Sequence, residues 1–161
     1  MKYLFNILII NGPNLNLLGE REPNIYGSIT LKELIKKLKK KAKLLNANIL
    51  HVQSNSESTL INTIHNANKN IDYIIINAGA YTHTSIAIRD ALLSINVPFI
   101  EVHISNIYAR DNFRFHSWLS DISSGVICGF GLDGYVWALK TAIKRIEKSK
   151  KLYHCSSKIK T

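Results

Sequence analysis

Glu101 and His103 stand two residues apart in the apolar segment PFIEVHI, residues 98–104. In a β-strand, side chains two residues apart point to the same side of the sheet, so the pair would be adjacent. A carboxylate beside an imidazole fixes its tautomer and raises its basicity, which is the usual environment of a general acid or base. The alternative is a structural histidine satisfied by a neighbouring strand. The position of the pair at the carboxyl end of the strand favours the acid–base interpretation.

The segment NGPNLNLLGEREPNIYG, residues 11–27, is a long connection for a chain that leaves a buried strand, and it carries Arg21 and Tyr26. A free tyrosine has a pKa of about 10 and is a poor base at neutral pH. Lowering that pKa to about 7 or 8 needs about 3–4 kcal/mol, which a desolvated arginine nearby can supply. We therefore predict a lid that closes over a substrate and brings a tyrosine base. Taken alone, the loop could equally pack its tyrosine on the protein body.

The segment NAGAYTHTS, residues 77–85, places a glycine turn, Asn77 and His83 ahead of a predicted helix. Free N–H groups and the positive end of a helix suit an anion such as a carboxylate. Capping of the helix explains the threonines and Ser85, but it does not require Asn77 or His83. We predict that these two side chains face a ligand.

Arg110 and Arg114 follow the predicted strand that carries His103. The planar guanidinium binds carboxylates well. An ion pair between Arg110 and Asp111 at the surface is the alternative, and it is the better interpretation of this segment alone. A tyrosine base, a histidine acid, amides and arginines together fit proton abstraction next to a carbonyl of an anionic, hydroxyl-rich small molecule.

Metal and cofactor sites are not predicted. Cys128 and Cys155 lack metal-ligand spacing and indicate a reduced, cytoplasmic protein, and the six histidines are scattered singly. The segment GFGLDG, residues 129–134, matches GxGxxG, but no second strand with an acidic residue follows it. We interpret it as a tight turn that lets the last helix pack close to the sheet.

The elements that must position these residues alternate along the 161-residue chain. Strands are predicted by Ile- and Val-rich runs at residues 3–10, 47–53, 72–78, 98–104 and 124–129. Amphipathic helices are predicted at residues 30–46, 57–69, 84–95 and 134–149. This order predicts an α/β, flavodoxin-like, doubly wound five-stranded parallel sheet with helices on both faces. Ligands of such sheets bind beyond the carboxyl ends of the strands, where the residues above collect.

The chain is expected to form one domain over residues 1–149, followed by a basic tail, residues 150–161, that we expect to be disordered. Capping boxes are predicted at Thr30–Glu33 and Ser54–Glu57. An apolar first strand is favoured over a weak signal peptide. No run of 18 apolar residues occurs, so no membrane-spanning helix is expected.

The net charge is +10, and seven lysines lie between Lys32 and Lys43. Their helical spacing with apolar residues indicates a solvated helix face, and nucleic-acid binding is the less favoured interpretation. An acidic-surface or nucleic-acid binding module is nevertheless the second hypothesis. A third hypothesis, a dinucleotide or flavin protein, depends on GFGLDG alone.

Six segments in order resemble type II 3-dehydroquinate dehydratase: NGPNLNLLGEREPNIYG, QSNSE, NAGAYTHTS, IEVHISN, AR with FRFHS, and GFGLDGY. The resemblance covers roughly residues 5–146. It implies cofactor-free anti elimination of water from 3-dehydroquinate through an enolate, giving 3-dehydroshikimate in the shikimate pathway. It also implies a homododecamer built of trimers.

The same resemblance assigns residue roles. Tyr26 would take the C2 proton, with Arg21 keeping it ionised. His103 would protonate the departing C1 hydroxyl, with Glu101 orienting it, and Asn14 would hold a water at the enolate. The positions that match substrate-binding residues of the family are Asn77, His83, Ile104, Ser105, Arg114 and, from a neighbouring subunit, Asp90.

Overall fold

The structure is a computed structural model that describes residues 4–20 and 28–157, with side chains described through residue 150. Five parallel strands form one sheet in the order β2-β1-β3-β4-β5. The strands are β1 Phe5–Asn11, β2 Ala47–Gln53, β3 Tyr73–Asn77, β4 Phe99–His103 and β5 Val126–Cys128. This order is that of the flavodoxin-like class, so the predicted fold is confirmed.

Five α-helices lie in the described ranges: α1 Leu31–Leu44, α2 Glu57–Ala67, α3 Tyr81–Thr84, α4 Ile86–Leu93 and α5 Asp133–Ser157. Short 3-10 turns occur at Leu15–Leu17, Ile107–Ala109 and Asn112–Arg114. The one-turn helix α3 was not predicted separately from α4, and Ser85 divides the two with an extended backbone. No helix in the described part of the chain is long and apolar enough to cross a membrane.

Two hydrophobic cores lie on opposite faces of the sheet. The first packs α1 and α5 on residues such as Ile7, Ile9 and Ile75. The second packs α2 and α4 on the alternate residues Leu8 and Ile10 and their neighbours. Because successive strand residues face opposite sides, both sets must be apolar, and this explains the nearly continuous apolar runs in the sequence.

The capping prediction is right at one helix and wrong at another. At α1, Thr30 accepts the Glu33 N–H and the Glu33 carboxylate accepts the Thr30 N–H, as the capping box requires. At α2, the N-cap is Ser56 rather than Ser54. The Ser54 hydroxyl instead accepts the N–H of Ser56, two residues on, at 3.0 Å. This local turn uses the acceptor that the capping box needed.

The C-terminal helix is longer than predicted. The sequence placed its end at residue 149 and a disordered tail from residue 150, but α5 continues to Ser157. Residues 146–157 contain neither glycine nor proline, and lysine is a good helix former, so no stop signal occurs there. The helix therefore extends past the predicted domain boundary at residue 149.

The turn interpretation of GFGLDG is confirmed. Gly129 and Gly131 adopt positive φ angles of 84° and 56°. Gly134 opens α5 against the sheet, where an added Cβ would lie 3.2 Å from Cγ2 of Ile127. The third glycine therefore permits close packing of the last helix.

The charge of the chain is concentrated on one side of the sheet. Helices α1 and α5 contain thirteen lysines and arginines and three acidic residues, a difference equal to the net charge of +10 of the whole chain. Both helices pack on the same core. The face formed by α1 and α5, called the basic face below, is thus strongly positive.

Candidate active site

A cavity of about 250 Å³ lies at the carboxyl ends of the parallel strands. It brings together seven of the predicted site residues, Asn14, Asn77, His83, His103, Ile104, Ser105 and Arg114. Arg110 and the apolar side chains of the Leu15–Leu17 turn complete part of the wall. These residues come from four separate segments of the chain, and the convergence of the strand ends places them in one site.

The loops after β1 and β3 pack closely against each other and are joined by a backbone hydrogen bond. The Gly12 N–H donates to the Asn77 carbonyl at 2.8 Å, and a Cβ on Gly12 would lie 2.2 Å from the Ala78 carbonyl oxygen. Only glycine permits this approach. Asn14 then turns the chain with a positive φ of 66°, and its N–H donates to Oδ1 of Asn55 at 3.0 Å. Asn14 and Asn77 are consequently held at one wall of the cavity.

His103 and Glu101 form a buried pair at the end of β4. The Nε2 atom of His103 lies 2.8 Å from Oε1 of Glu101, and the two residues are 5% and 0% exposed. The strand prediction that both side chains point the same way is confirmed. Because an ionised carboxylate only accepts, Nε2 carries a proton and Nδ1 is the ring atom that can exchange a proton with a ligand.

Three hydroxyl groups surround the Glu101 carboxylate. Thr82 and Ser117 donate to Oε1 at 3.1 and 2.8 Å, and Ser120 donates to Oε2 at 2.7 Å. Burial raises the pKa of Glu101, but the hydrogen bonds from His103, Ser120 and Ser117 outweigh it, so the pKa is lowered below its ordinary value. Glu101 is therefore an anion in the protein interior.

Sequence reasoning missed this hydroxyl set. Thr82 was interpreted only as a helix cap, and Ser120 lies in a segment with no predicted element. The segment is held in place by Arg89, which donates to the Trp118 carbonyl at 2.7 Å and to Oδ2 of Asp121 at 2.8 Å. A buried carboxylate requires donors, but the sequence does not indicate which hydroxyls supply them.

His83 lines the cavity, and a hydrogen bond to a backbone carbonyl fixes its tautomer. Its Nδ1 lies 2.7 Å from the His116 carbonyl oxygen, so Nδ1 donates and Nε2 remains an acceptor. Burial lowers the pKa of His83; the bond to His116 opposes this, and the charges of His103 and Arg114 add to the lowering. His83 is therefore a neutral acceptor for a ligand hydroxyl.

Arg114 supplies positive charge at the cavity. Its Nε lies 3.5 Å from Oδ2 of Asp111, beyond hydrogen-bond distance, and is buried without a hydrogen-bond partner in the described structure. Its guanidinium carbon lies 4.9 Å from the centre of the Phe113 ring. Arg110 also lines the cavity. An anionic ligand would satisfy the donors of Arg114.

Three predicted residues are still to be accounted for: Asp90, Arg21 and Tyr26. Asp90 is exposed on α4 and does not line the cavity of its own chain. Arg21 and Tyr26 lie outside the described residues. Within residues 4–20 and 28–157, no group of three or more His, Cys, Asp or Glu residues is arranged to hold a metal ion.

Comparisons with known proteins show what this chain is similar to. A family model described as Dehydroquinase class II matches residues 5–143. The 3-dehydroquinate dehydratase of Buchnera aphidicola subsp. Baizongia pistaciae is 74% identical over 148 residues, which cover 92% of this chain and 96% of that protein. The 3-dehydroquinate dehydratase of Enterobacter sp. strain 638 is 57% identical, with 90% and 97% covered. The crystal structure of type II dehydroquinase from Propionibacterium acnes has a TM-score of 0.85 at 42% identity, covering 89% of this chain and 99% of that one.

Proposed function

This chain belongs to the class II dehydroquinase family, the type II 3-dehydroquinate dehydratases, and on that premise we propose that it removes water from 3-dehydroquinate by anti elimination through an enolate. The observation that carries the proposal is the buried Glu101–His103 pair at the wall of a cavity that also holds arginine and amide donors. The product is 3-dehydroshikimate, and no cofactor takes part.

His103 is the general acid. With Nε2–H bound to Glu101, protonated Nδ1 gives its proton to the C1 hydroxyl, which leaves as water. The anionic Glu101 accepts the Nε2–H and so orients the ring for this step. A positioned acid of this kind contributes about 10²–10⁴-fold to a rate.

Tyr26 is the base that takes the C2 proton, and Arg21 keeps it ionised. The electron pair of the broken C–H bond passes into the enolate, and Asn14 holds the water that stabilises the enolate oxygen. Expulsion of the C1 hydroxyl then restores the ketone as a conjugated enone. Support for this step comes from the match of the chain to the family over the residues that carry both side chains.

Asn77, His83, Ile104, Ser105 and Arg114 bind the substrate. Their position in one cavity supports this role, since the cavity offers both cationic and neutral hydrogen-bonding groups to an anionic, hydroxylated ring. Asp90 acts in the cavity of a neighbouring subunit within a homododecamer of trimers. The reaction belongs to the shikimate pathway and takes place in the cytoplasm.

The direct experiment mixes purified protein with 3-dehydroquinate and follows the absorbance of the conjugated enone. We expect turnover that survives a chelator and that borohydride does not inactivate in the presence of substrate. Inactivation by borohydride would indicate a lysine imine and would contradict the proposed mechanism. Absence of enone formation by the wild-type protein would contradict the function itself.

One observation favours a second candidate function, the binding of an acidic polymer by the basic face. Lysines of α1 and α5 on one side of the sheet would neutralise phosphates and release counterions. The test is fluorescence anisotropy with a labelled single-stranded RNA between about 50 and 200 mM salt, over which such binding weakens steeply. A variant with Lys36, Lys40 and Lys43 changed to glutamine should lose that binding and retain turnover.

A further inference from the structure

Four side chains form a hydrogen-bonded row from β2 to the cavity. Asn77 Nδ2 lies 3.0 Å from the Tyr135 hydroxyl, which lies 2.5 Å from Oδ1 of Asn11. Asn11 Nδ2 lies 3.1 Å from Nε2 of His51. Asn77 lines the cavity, whereas the other three do not, so the row connects a ligand-facing amide to the interior.

The row has one consistent direction of donation. Asn77 donates to Tyr135, Tyr135 donates to Asn11, and Asn11 donates to a neutral His51. The other end of the Asn77 amide is used as well, since Oδ1 accepts the N–H of Gly79 at 3.2 Å. One N–H of the Asn77 amide is therefore left for a ligand.

Three of the four side chains in the row are buried, and His51 is half-buried. Asn11 and Tyr135 are 0% exposed and Asn77 is 4% exposed. Burial raises the pKa of Tyr135 above its ordinary value, so its hydroxyl stays a donor at any working pH. A buried polar group that loses its partner is left unsatisfied, which makes alternative orientations of the amides unfavourable.

We propose that Tyr135, held by Asn11, is a positioning residue that fixes Asn77 as a hydrogen-bond donor toward a ligand hydroxyl. This inference rests on the proposed function, because it names the group that sets one substrate contact. Tyr135 acts through Asn77 and does not touch the ligand. Without the tyrosine hydroxyl, the amide of Asn77 loses one of the two hydrogen bonds that orient it, and the protein binds substrate more weakly before chemistry begins.

The test compares Tyr135→Phe with Tyr73→Phe. Tyr73 is a second buried tyrosine, and its hydroxyl bonds Ser124 and Arg145 away from the cavity. We expect KM of Tyr135→Phe to rise about tenfold, as loss of one buried hydrogen bond implies, with kcat changed less than about twofold. Tyr73→Phe should keep the wild-type KM. In an Asn77→Ala background, Tyr135→Phe should add no further change in KM.

The proposal is overturned if KM of Tyr135→Phe equals that of the wild type, if Tyr73→Phe raises KM equally, or if the effects of Tyr135→Phe and Asn77→Ala add. Asn11→Ala removes the acceptor of Tyr135 and gives the same test if Tyr135→Phe does not fold. If the wild-type protein does not dehydrate 3-dehydroquinate, the proposed function fails. The positioning role is then decided by the crystal structure of Tyr135→Phe, in which an unmoved Asn77 amide overturns it.

Discussion

The imidazole rings of His83 and His103 lie 6.3 Å apart between centroids and within 17° of parallel. Two imidazolium ions at this separation would repel each other, so charge on one disfavours charge on the other. The Nε2–H of His103 donates to the anionic Glu101 carboxylate, whereas the Nδ1–H of His83 donates to a neutral carbonyl. The two rings therefore stand in different electrostatic environments at one cavity.

Glu101→Gln should lower kcat by about 10²-fold or more while KM changes little, because an amide cannot stabilise the imidazolium that donates the proton. The variant also tests how the Glu101 carboxylate affects the pH dependence of the free energy of unfolding. The pKa of Glu101 is lowered in the folded protein, so its contribution to stability is present above the unfolded value of 4.5 and is lost as pH falls through the folded value. Urea unfolding from pH 6 to pH 3 should show a smaller loss of stability in Glu101→Gln. If the free energy of unfolding falls equally with pH in the wild type and in Glu101→Gln, the lowered pKa of Glu101 is contradicted.

Ser120→Ala should destabilise the fold by about 1 kcal/mol, because Oε2 of the buried Glu101 loses its hydroxyl donor. The pKa of Glu101 should also be higher in this variant than in the wild type, because the Ser120 hydrogen bond contributes to its lowering. The matched control is Ser123→Ala, since the Ser123 hydroxyl donates to the Ser120 carbonyl and does not contact Glu101. Unfolding curves and kcat are measured for both variants. A larger loss of stability or of kcat in Ser123→Ala than in Ser120→Ala would contradict the role of Ser120 as a donor to Glu101.

Acidification should weaken the fold through His83. Its pKa is lowered in the folded state, so the unfolded chain takes up the proton first, and stability falls as pH drops below about 6.5. Chemical denaturation at pH 7.5 and pH 5.5 should show this loss, and His83→Gln should reduce it. His51, whose pKa burial also lowers, contributes in the same direction and accounts for the part that remains.

Tyr26→Phe should abolish turnover and leave substrate binding largely intact, because it removes the base and keeps the aromatic ring. Turnover is read from enone absorbance, and binding from calorimetry with the unreacted substrate. Tyr81→Phe is the control, since the Tyr81 hydroxyl donates to the Asn55 carbonyl. A catalytically active Tyr26→Phe protein would rule out the proposed base.

Asp90 offers a test of the assembly. We expect Asp90→Asn to reduce turnover although Asp90 does not line the cavity of its own chain. Asp90→Asn and His103→Ala proteins, dissociated and reassembled together, should recover part of the activity, because some cavities then combine an intact His103 with an intact Asp90. Recovery no greater than the sum of the separate proteins would place Asp90 outside the active site.

The sequence by itself was enough to predict the sheet, the order of its strands and the edge of the sheet on which the cavity lies. These features follow from short-range patterns: Ile- and Val-rich runs, helical spacing and polar residues just after each strand. In the described ranges, the strand boundaries and the boundaries of α1, α2 and α4 lie within two residues of their predictions; the exceptions are α3, which was not predicted separately, and the end of α5. There the sequence lacked a stop signal, and the helix continues to Ser157.

Only the tertiary structure decided which groups satisfy one another. The pairing of Glu101 with His103 was predictable because two residues on one strand share a face. The donors from Thr82, Ser117 and Ser120 were not, because they reach Glu101 from other segments. The row from His51 to Asn77 joins residues up to 124 positions apart. Hydrogen bonds depend on distances of tenths of an ångström between groups that only the folded chain brings together, and a pattern of residue types does not contain those distances.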